Sequence, residues 1–127
     1  MTNIRSYRAL IIEDDFDIQY LLKSILESEN FLVEVASDGK SGLQKLNNGA
    51  VLPDVILLDL MMPIMDGRAF RKAQRKIDNL ATIPTIVMTA GREDQSLKDE
   101  LCVFGFMQKP VDIEVLLGIV NRAISSA

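Results

Sequence analysis

The chain contains no histidine among its 127 residues and only one cysteine, Cys102. The first absence excludes histidine-based zinc sites, serine–histidine catalytic triads and a phosphohistidine intermediate on this molecule. A single cysteine cannot form an internal disulfide. No apolar run approaches the roughly 20 residues of a membrane span or follows a signal-peptide pattern. The sequence therefore predicts a cytoplasmic protein whose chemistry depends on carboxylates, lysines and hydroxyl groups.

The chain also lacks an excess of positive charge. Its 14 Lys and Arg residues face 18 Asp and Glu residues, which gives a net charge of -4. This balance argues against a general nucleic-acid binder, and we expect no direct partner among nucleic acids or membranes. With 48% apolar residues, the chain is long enough for one core and too short for two ordinary domains. We predict a single domain over residues 1–127, with a core of about residues 7–125.

Short apolar runs alternate with helix-like patterns along the chain. The runs cover residues 9–12, 31–36, 55–58, 83–88 and 104–107. Two of them, 55–58 and 83–88, are apolar at consecutive positions, as in central strands that are covered on both faces. The alternation predicts an α/β fold, a doubly wound five-stranded parallel sheet with helices on both faces. In such sheets the functional crevice lies beyond the carboxyl ends of the strands.

The helical patterns also suggest surfaces. The third pattern continues to Ile77 and carries a basic face, which we interpret as a solvated helix face because no aromatic residue is interleaved for base stacking. That face consists of Arg68, Arg71, Lys72, Arg75 and Lys76. The fourth, over residues 94–102, has only Leu97 and Leu101 as anchors, so it should be among the least stable elements.

The last helix has an apolar stripe and two apolar residues outside it. The stripe consists of Ile113, Leu116, Leu117, Val120 and Ile124. Val115 and Ile119 lie outside that stripe. They indicate either a partner surface or a wider core.

Charged and hydroxyl residues follow four of the strands. They are Glu13 and Asp14 after the first, Asp59 after the third, Thr89 after the fourth and Lys109 after the fifth. Close carboxylates repel each other by on the order of 4 kcal/mol per pair at about 4 Å, so a cation must compensate. Oxygen ligands without His or Cys select a hard divalent ion, and a small acidic site with room for water and phosphate suits Mg²⁺.

The residue types at these strand ends are those that phosphoryl transfer needs. The carboxylate of Asp59 would attack phosphorus in line, while Mg²⁺ and Lys109 neutralise charge on the phosphoryl oxygens and Thr89 donates a hydrogen bond. Acids near strand ends also serve as helix N-caps or turn residues. We assign that role to four other acids, Asp15, Asp17, Asp38 and Asp66.

Four motifs together resemble response-regulator receiver domains. They are Ile11-Ile12-Glu13-Asp14-Asp15, the segment 53–63 with Asp66-Gly67, Met88-Thr89-Ala90, and Lys109-Pro110. Their order and spacing fit five βα units, and the match spans nearly the whole chain. The resemblance implies a flavodoxin-like (βα)5 sheet with strand order 2-1-3-4-5.

The resemblance also implies a role for each site residue. Asp59 would be the phospho-acceptor, and Lys109 and Thr89 would contact the phosphoryl group. The implied Mg²⁺ ligands are Asp14, Asp59, Glu13 through a water, and the backbone carbonyl of Met61. Phe106 would be a rotamer switch coupled to Thr89.

Several positions depart from the family pattern. Met61 and Gly91 stand where side chains tune dephosphorylation in the family, which leaves the phosphorylated lifetime open. Phe106 lacks the hydroxyl of the commoner Tyr, and Cys102 stands where a Gly often ends the fourth helix. In relatives the Lys109-Pro110 peptide is cis, the one type of bond for which cis costs little.

As a receiver, the chain would be a signalling switch rather than an enzyme, apart from catalysing its own phosphorylation and dephosphorylation. A sensor histidine kinase or a histidine phosphotransfer protein would supply the phosphoryl group. Phosphorylation would change a protein-binding surface on the fourth helix, fifth strand and fifth helix. Since nothing follows residue 127, the chain would act through a downstream protein effector, relay phosphate, or be a fragment without its output domain.

Two other classes share parts of this pattern. Asp15-Phe16-Asp17 resembles the nucleophile motif of haloacid-dehalogenase-like phosphatases. Gln19 replaces the expected Thr or Val, and no paired acids with a cap-sized insertion follow Lys109. A flavin-binding module would need a phosphate loop rich in Ser, Thr or Gly after the first strand, where this chain has acids.

Overall fold

The computed structural model describes residues 6–49, 51–91 and 95–125, in which strands and helices alternate. The strands are β1 (Tyr7–Ile12), β2 (Phe31–Ala36), β3 (Val55–Asp59), β4 (Thr85–Thr89) and β5 (Gly105–Gln108). The helices within these ranges are α1 (Phe16–Ser28), α2 (Gly39–Asn48), α3 (Gly67–Arg75), α4 (Asp78–Ala81), α5 (Gln95–Leu101) and α6 (Ile113–Ser125). The predicted fourth helix is α5 and the fifth is α6; Asp94 lies outside the described residues. Of the described helices, none combines the length and hydropathy needed to cross a bilayer.

The five strands form one parallel sheet in the order β2-β1-β3-β4-β5. This confirms the predicted fold class and strand order. The register aligns the strand ends, because Ile12 pairs with Leu58, Asp59 with Met88 and Thr89 with Gln108. The carboxyl ends of β1, β3, β4 and β5 therefore meet at one edge of the sheet.

Two apolar cores cover the two faces of the sheet. In β3 the side chains alternate: Val55 and Leu57 pack with α1 and α6, whereas Ile56 and Leu58 pack with α2, α3, α4 and α5. All five residues of β3 are buried, as the consecutive apolar pattern predicts for a central strand. Helices on both faces are thus confirmed.

The last helix has a wider core face than its apolar stripe alone. Ile119 is 8% exposed and belongs to the core, so of the two alternatives the wider core holds at this position. Gly105 of β5 explains this, since a Cβ there would lie 3.1 Å from Cγ2 of Ile119; the missing side chain makes room for Ile119. Val115 is exposed, as predicted, and Ile113 at the start of the predicted stripe is 48% exposed.

The third helix ends earlier than predicted. Ile77 has an extended backbone (φ -111°, ψ 114°) and is the N-cap of the short helix α4. The side-chain amide of Gln74 in α3 donates to the carbonyl oxygen of Leu80 in α4 at 2.9 Å, and this hydrogen bond holds α4 against α3.

The predicted solvated face of α3 is wrong at one position. Arg68, Lys72, Arg75 and Lys76 are exposed, but Arg71 is only 6% exposed. Its guanidinium donates to the carbonyl oxygens of Leu101 and Cys102. The sequence pattern predicted Arg71 to be a surface charge, because the packing of α5 against α3 is a tertiary contact that the sequence does not show.

Candidate functional site

The ends of four strands carry the predicted site residues to one edge of the sheet. Glu13 directly follows β1, and its N–H donates to Ala36 O of β2 at 3.0 Å. Asp59 and Thr89 are the last residues of β3 and β4. Lys109 follows β5, and its N–H donates to Thr89 O at 2.8 Å. The sheet hydrogen bonds thus fix the backbone of each of these residues.

Three carboxylates come together at this edge. Glu13, Asp14 and Asp59 each offer one oxygen, and these oxygens lie within 4.8 Å of one another. Glu13 and Asp59 are 0% and 3% exposed, whereas Asp14 is exposed to solvent. The cluster therefore has two buried acids and one acid at the mouth.

Lys109 joins the two buried acids. Its Nζ lies 2.7 Å from Glu13 Oε1 and 3.3 Å from Asp59 Oδ1. Burial by itself lowers the pKa of Lys109, but the hydrogen bond and charge of Glu13 and the charge of Asp59 outweigh it and hold that pKa above its usual range. The ammonium group is therefore charged at neutral pH.

Glu13 is the acid whose ionisation is most strongly affected. Burial raises the pKa of Glu13 to about 7, with the neighbouring Asp59 acting in the same direction. The hydrogen bonds from Lys109 and from the N–H of Asp15 act in the opposite direction. Burial of Glu13, more than its interaction with Asp59, therefore favours the protonated form of this acid.

A hard cation fits this donor set. The cluster supplies only oxygen ligands, two of them shielded from solvent, and three carboxylates face a single ammonium group. Mg²⁺ prefers such oxygen ligands and keeps several waters, for which the exposed side of Asp14 leaves room. The residues present therefore fit a Mg²⁺ ion.

The loop after β3 is shaped by a close approach of two backbones. The N–H of Met61 donates to Asp59 Oδ1 at 3.4 Å, while the Met61 side chain is 75% exposed. A Cβ on Gly67, the first residue of α3, would lie 2.6 Å from Asp59 O. Only glycine fits there, so α3 begins directly on the backbone of Asp59.

Thr89 and Phe106 lie on neighbouring strands. Thr89 is buried, and its hydroxyl oxygen accepts a hydrogen bond from the N–H of Gly91 at 3.0 Å. Phe106 is half-buried in β5 and pairs with Val87, two residues before Thr89, so the two predicted switch residues are offset in register. Lys98 Nζ of α5 lies 5.8 Å from the ring centroid of Phe106.

The capping acids and the cis peptide are confirmed. Asp15, Asp38 and Asp66 are the N-caps of α1, α2 and α3, and the Lys109-Pro110 peptide is cis. Asp17 lies in the first turn of α1. The Asp15 carboxylate accepts from the N–H groups of Asp17 and Ile18, as expected for an N-cap.

One residue beside the site was missed by sequence reasoning. The Gln19 side-chain amide donates to Glu13 O at 2.5 Å and to Ser37 Oγ at 3.2 Å, and so ties α1 to the ends of β1 and β2. From the sequence, Gln19 was interpreted only as a departure from a phosphatase motif. No local pattern signals a contact that depends on how α1 packs.

Known proteins are similar to this chain in sequence and in fold. Response regulator ArlR from Staphylococcus saprophyticus is 35% identical over 119 residues, which are 92% of this chain and 52% of that protein. The signal receiver domain of a histidine kinase from Syntrophus aciditrophicus superposes with a TM-score of 0.86 at 30% identity, covering 96% of this chain and 92% of that one.

A third relative supports the fold at lower identity. The receiver domain of sensor histidine kinase PA1611 from Pseudomonas aeruginosa PAO1 has a TM-score of 0.83 at 24% identity, covering 95% of this chain and 99% of that one. That structure has a magnesium ion coordinated in its active site cleft.

The family is established over most of the chain. The chain spans about half the length, or less, of curated relatives that it matches. The family model for the response regulator receiver domain matches residues 9–121 of this chain. With the acid cluster at the predicted edge of the predicted sheet, this chain belongs to the response regulator receiver domain family of two-component signalling.

Proposed function

We propose that this receiver domain is switched by transfer of a phosphoryl group to the carboxylate of Asp59. The observation that carries the proposal is the joint placement of Glu13, Asp14 and Asp59 with Lys109 bridging the two buried acids. An excess of carboxylates at a strand end needs a cation that neutralises it, and a divalent ion bound there can then hold the anionic phosphoryl group beside Asp59.

In the transfer, a carboxylate oxygen of Asp59 attacks phosphorus in line. The new O–P bond forms as the bond between phosphorus and the donor breaks, and the donor leaves with the electron pair. Lys109 already lies 3.3 Å from Asp59 Oδ1, so its ammonium group is placed to neutralise charge on the transferred group. Thr89 would rotate its hydroxyl to donate to a phosphoryl oxygen.

Asp14 and Asp59 would hold Mg²⁺ directly, Glu13 through a water, and Met61 through its backbone carbonyl. When bound, the ion neutralises phosphoryl oxygens and orients the group for attack. The described residues prepare this site themselves, because Gly67 and the sheet hydrogen bonds fix the backbone around Asp59.

The expected partners follow from membership of this family. The donor is a sensor histidine kinase or a histidine phosphotransfer protein, and small phosphodonors are a substitute for it. We propose that the phosphorylated state changes a surface on α5, β5 and α6, with Thr89 and Phe106 as the switch pair. That surface would bind a downstream protein effector or an output domain, in the cytoplasm and without further enzymatic activity.

The test is intact mass measurement after incubation with acetyl phosphate and Mg²⁺. We expect a single phosphoryl adduct on the wild type, and none on Asp59→Asn or in the presence of EDTA. Asp15→Asn is the matched control, because it changes a neighbouring acid that caps α1 and should keep the adduct. An adduct that survives Asp59→Asn would overturn the assignment, and one lost only in Asp15→Asn would favour the phosphatase-like nucleophile.

A further inference from the structure

The carboxyl-terminal end of α5 is capped by side chains of another helix. A helix leaves its last carbonyl groups without partners inside the helix. Here Arg75 Nη1 donates to Glu100 O at 3.2 Å. Arg71 donates through Nε to Leu101 O at 2.9 Å and through Nη2 to Cys102 O at 2.6 Å. Two arginines of α3 thus supply donors to three successive carbonyl groups.

A third arginine of α3 contacts the same segment. Arg68 Nη1 lies 3.0 Å from Glu100 Oε2, and both side chains are 55% exposed. Exposed ion pairs of this type contribute little to stability. We call Arg68, Arg71 and Arg75, together with residues 100–102, the arginine clasp.

Arg71 is the buried centre of the arginine clasp. It is 6% exposed, and its Nη1 also donates to Gln74 Oε1 at 2.9 Å and to Thr85 Oγ1 at 3.5 Å. Within the described part of the chain, no carboxylate contacts it. Its charge lies instead at the carbonyl end of α5, where the helix dipole favours a cation. Arg71 therefore holds α5 by hydrogen bonds to neutral oxygen atoms and not by a surface ion pair.

The other end of α3 lies on the proposed phospho-acceptor. The N–H of Gly67 donates to Leu60 O at 3.0 Å, and the lack of a Cβ on Gly67 lets α3 approach Asp59 O. A helix of nine residues thus connects the backbone of Asp59 with the end of α5. This connection is separate from the contact between Lys98 and Phe106.

We propose that Arg71 is a positioning residue that fixes the end of α5 to α3 and thereby couples the state of Asp59 to α5. The fixing of α5 stands on the contacts above. The coupling rests on the proposed function, because it requires that Asp59 be phosphorylated.

Hydrogen exchange followed by mass spectrometry on the full 127-residue chain tests both parts. The compared proteins are the wild type, Arg71→Lys, Arg71→Met and the control Lys72→Met, each with and without acetyl phosphate and Mg²⁺. Arg71→Met removes every donor, whereas Arg71→Lys keeps the charge and one contact and so remains usable if the first variant does not fold. Lys72→Met removes an exposed charge from the next position of α3.

For the unphosphorylated proteins, we expect α5 and residues 102–104 to exchange about tenfold faster in Arg71→Met, with a smaller increase in Arg71→Lys. Lys72→Met should match the wild type in every peptide, and peptides from the core strands β1 and β3 report the change in global stability of each variant. Equal exchange of α5 in the wild type and both Arg71 variants would overturn the positioning role.

For the phosphorylated proteins, we expect the adduct on Asp59 to form in every variant. The change that phosphorylation causes in α5 exchange should fall to less than half in the Arg71 variants. A full-sized change despite faster basal exchange would overturn the coupling. Absence of an adduct on the wild type would overturn the proposed function and the coupling with it, while the unphosphorylated comparison would still decide the positioning role.

Discussion

The acid cluster and the arginine clasp both take charge out of solvent, but they balance it differently. In the acid cluster, Glu13, Asp14 and Asp59 share one ammonium group, Lys109. In the arginine clasp, one buried guanidinium donates to neutral oxygens that are all in place. The first region is built to receive a positively charged ligand, whereas the second is complete as it stands. An uncompensated buried charge therefore marks a candidate ligand site, and a satisfied one marks structure.

Removing Lys109, the cation that the described residues contribute to the acid cluster, should have the largest effect. We expect Lys109→Met to slow phosphorylation by acetyl phosphate at saturating Mg²⁺ by about two to three orders of magnitude, because a preorganised donor to the phosphoryl oxygens is lost. The measurement is the initial rate of adduct formation by intact mass. Lys45→Met, which loses an exposed lysine 3.8 Å from Glu34, is the control and should keep the wild-type rate. An unchanged rate in Lys109→Met would contradict its role at the site.

Breaking the arginine clasp should affect stability instead. We expect Arg71→Met to lower the free energy of unfolding by about 2–3 kcal/mol, because buried carbonyl groups lose their donor. Lys72→Met should stay within about 0.5 kcal/mol of the wild type, as exposed substitutions usually do. Urea unfolding of the three proteins measures the difference. Similar values for the two variants would show that the contacts of Arg71 add no stability.

The pH dependence of Mg²⁺ binding sharpens the comparison, with the smallest expected effect. Because the pKa of Glu13 is raised to about 7, the carboxyl group must lose a proton before it can face a cation. The apparent affinity for Mg²⁺ should therefore rise about tenfold between about pH 6 and pH 8. Isothermal titration calorimetry measures it, and Glu13→Gln should lose most of this rise. The same slope in that variant would assign the proton to another group.

The raised pKa of Glu13 also makes the free energy of unfolding depend on pH when no metal is bound. A raised pKa means that the folded protein binds this proton more tightly than the unfolded chain does. The contribution of Glu13 to the free energy of unfolding is thus largest at low pH and is lost as the pH rises from about 4.5 to about 7.

Most of the sheet could be predicted because its signal is local. The apolar run 31–36 matches β2 residue for residue, and 55–58 misses only the terminal Asp59 of β3. The predicted bounds of β4 and β5 were less accurate. The apolar runs begin at residues 83 and 104, whereas β4 begins at Thr85 and β5 at Gly105. Burial of a strand on both faces leaves an apolar run in the sequence, but the first paired residue depends on neighbouring strands.

The candidate site was predictable to a similar degree. Its residues end strands or directly follow them, so knowing the sheet is enough to place Glu13, Asp59 and Lys109 at one edge. The distances among their side chains, the raised pKa of Glu13 and the support from Gln19 needed coordinates. These features depend on burial and on contacts between elements far apart in the chain.

The sequence by itself determined the alternation of strands and helices, the sheet order implied by its motifs, and the identity of the acids at the strand ends. Those features follow from short-range patterns of apolar and charged residues. Only the tertiary structure decided that Arg71 lies inside, that Ile119 joins the core beside Gly105, and that α3 links Asp59 to the end of α5. A charge at one helical position has the same local pattern whether it faces water or a neighbouring carbonyl, and the packing of α5 against α3 settles which of the two it meets.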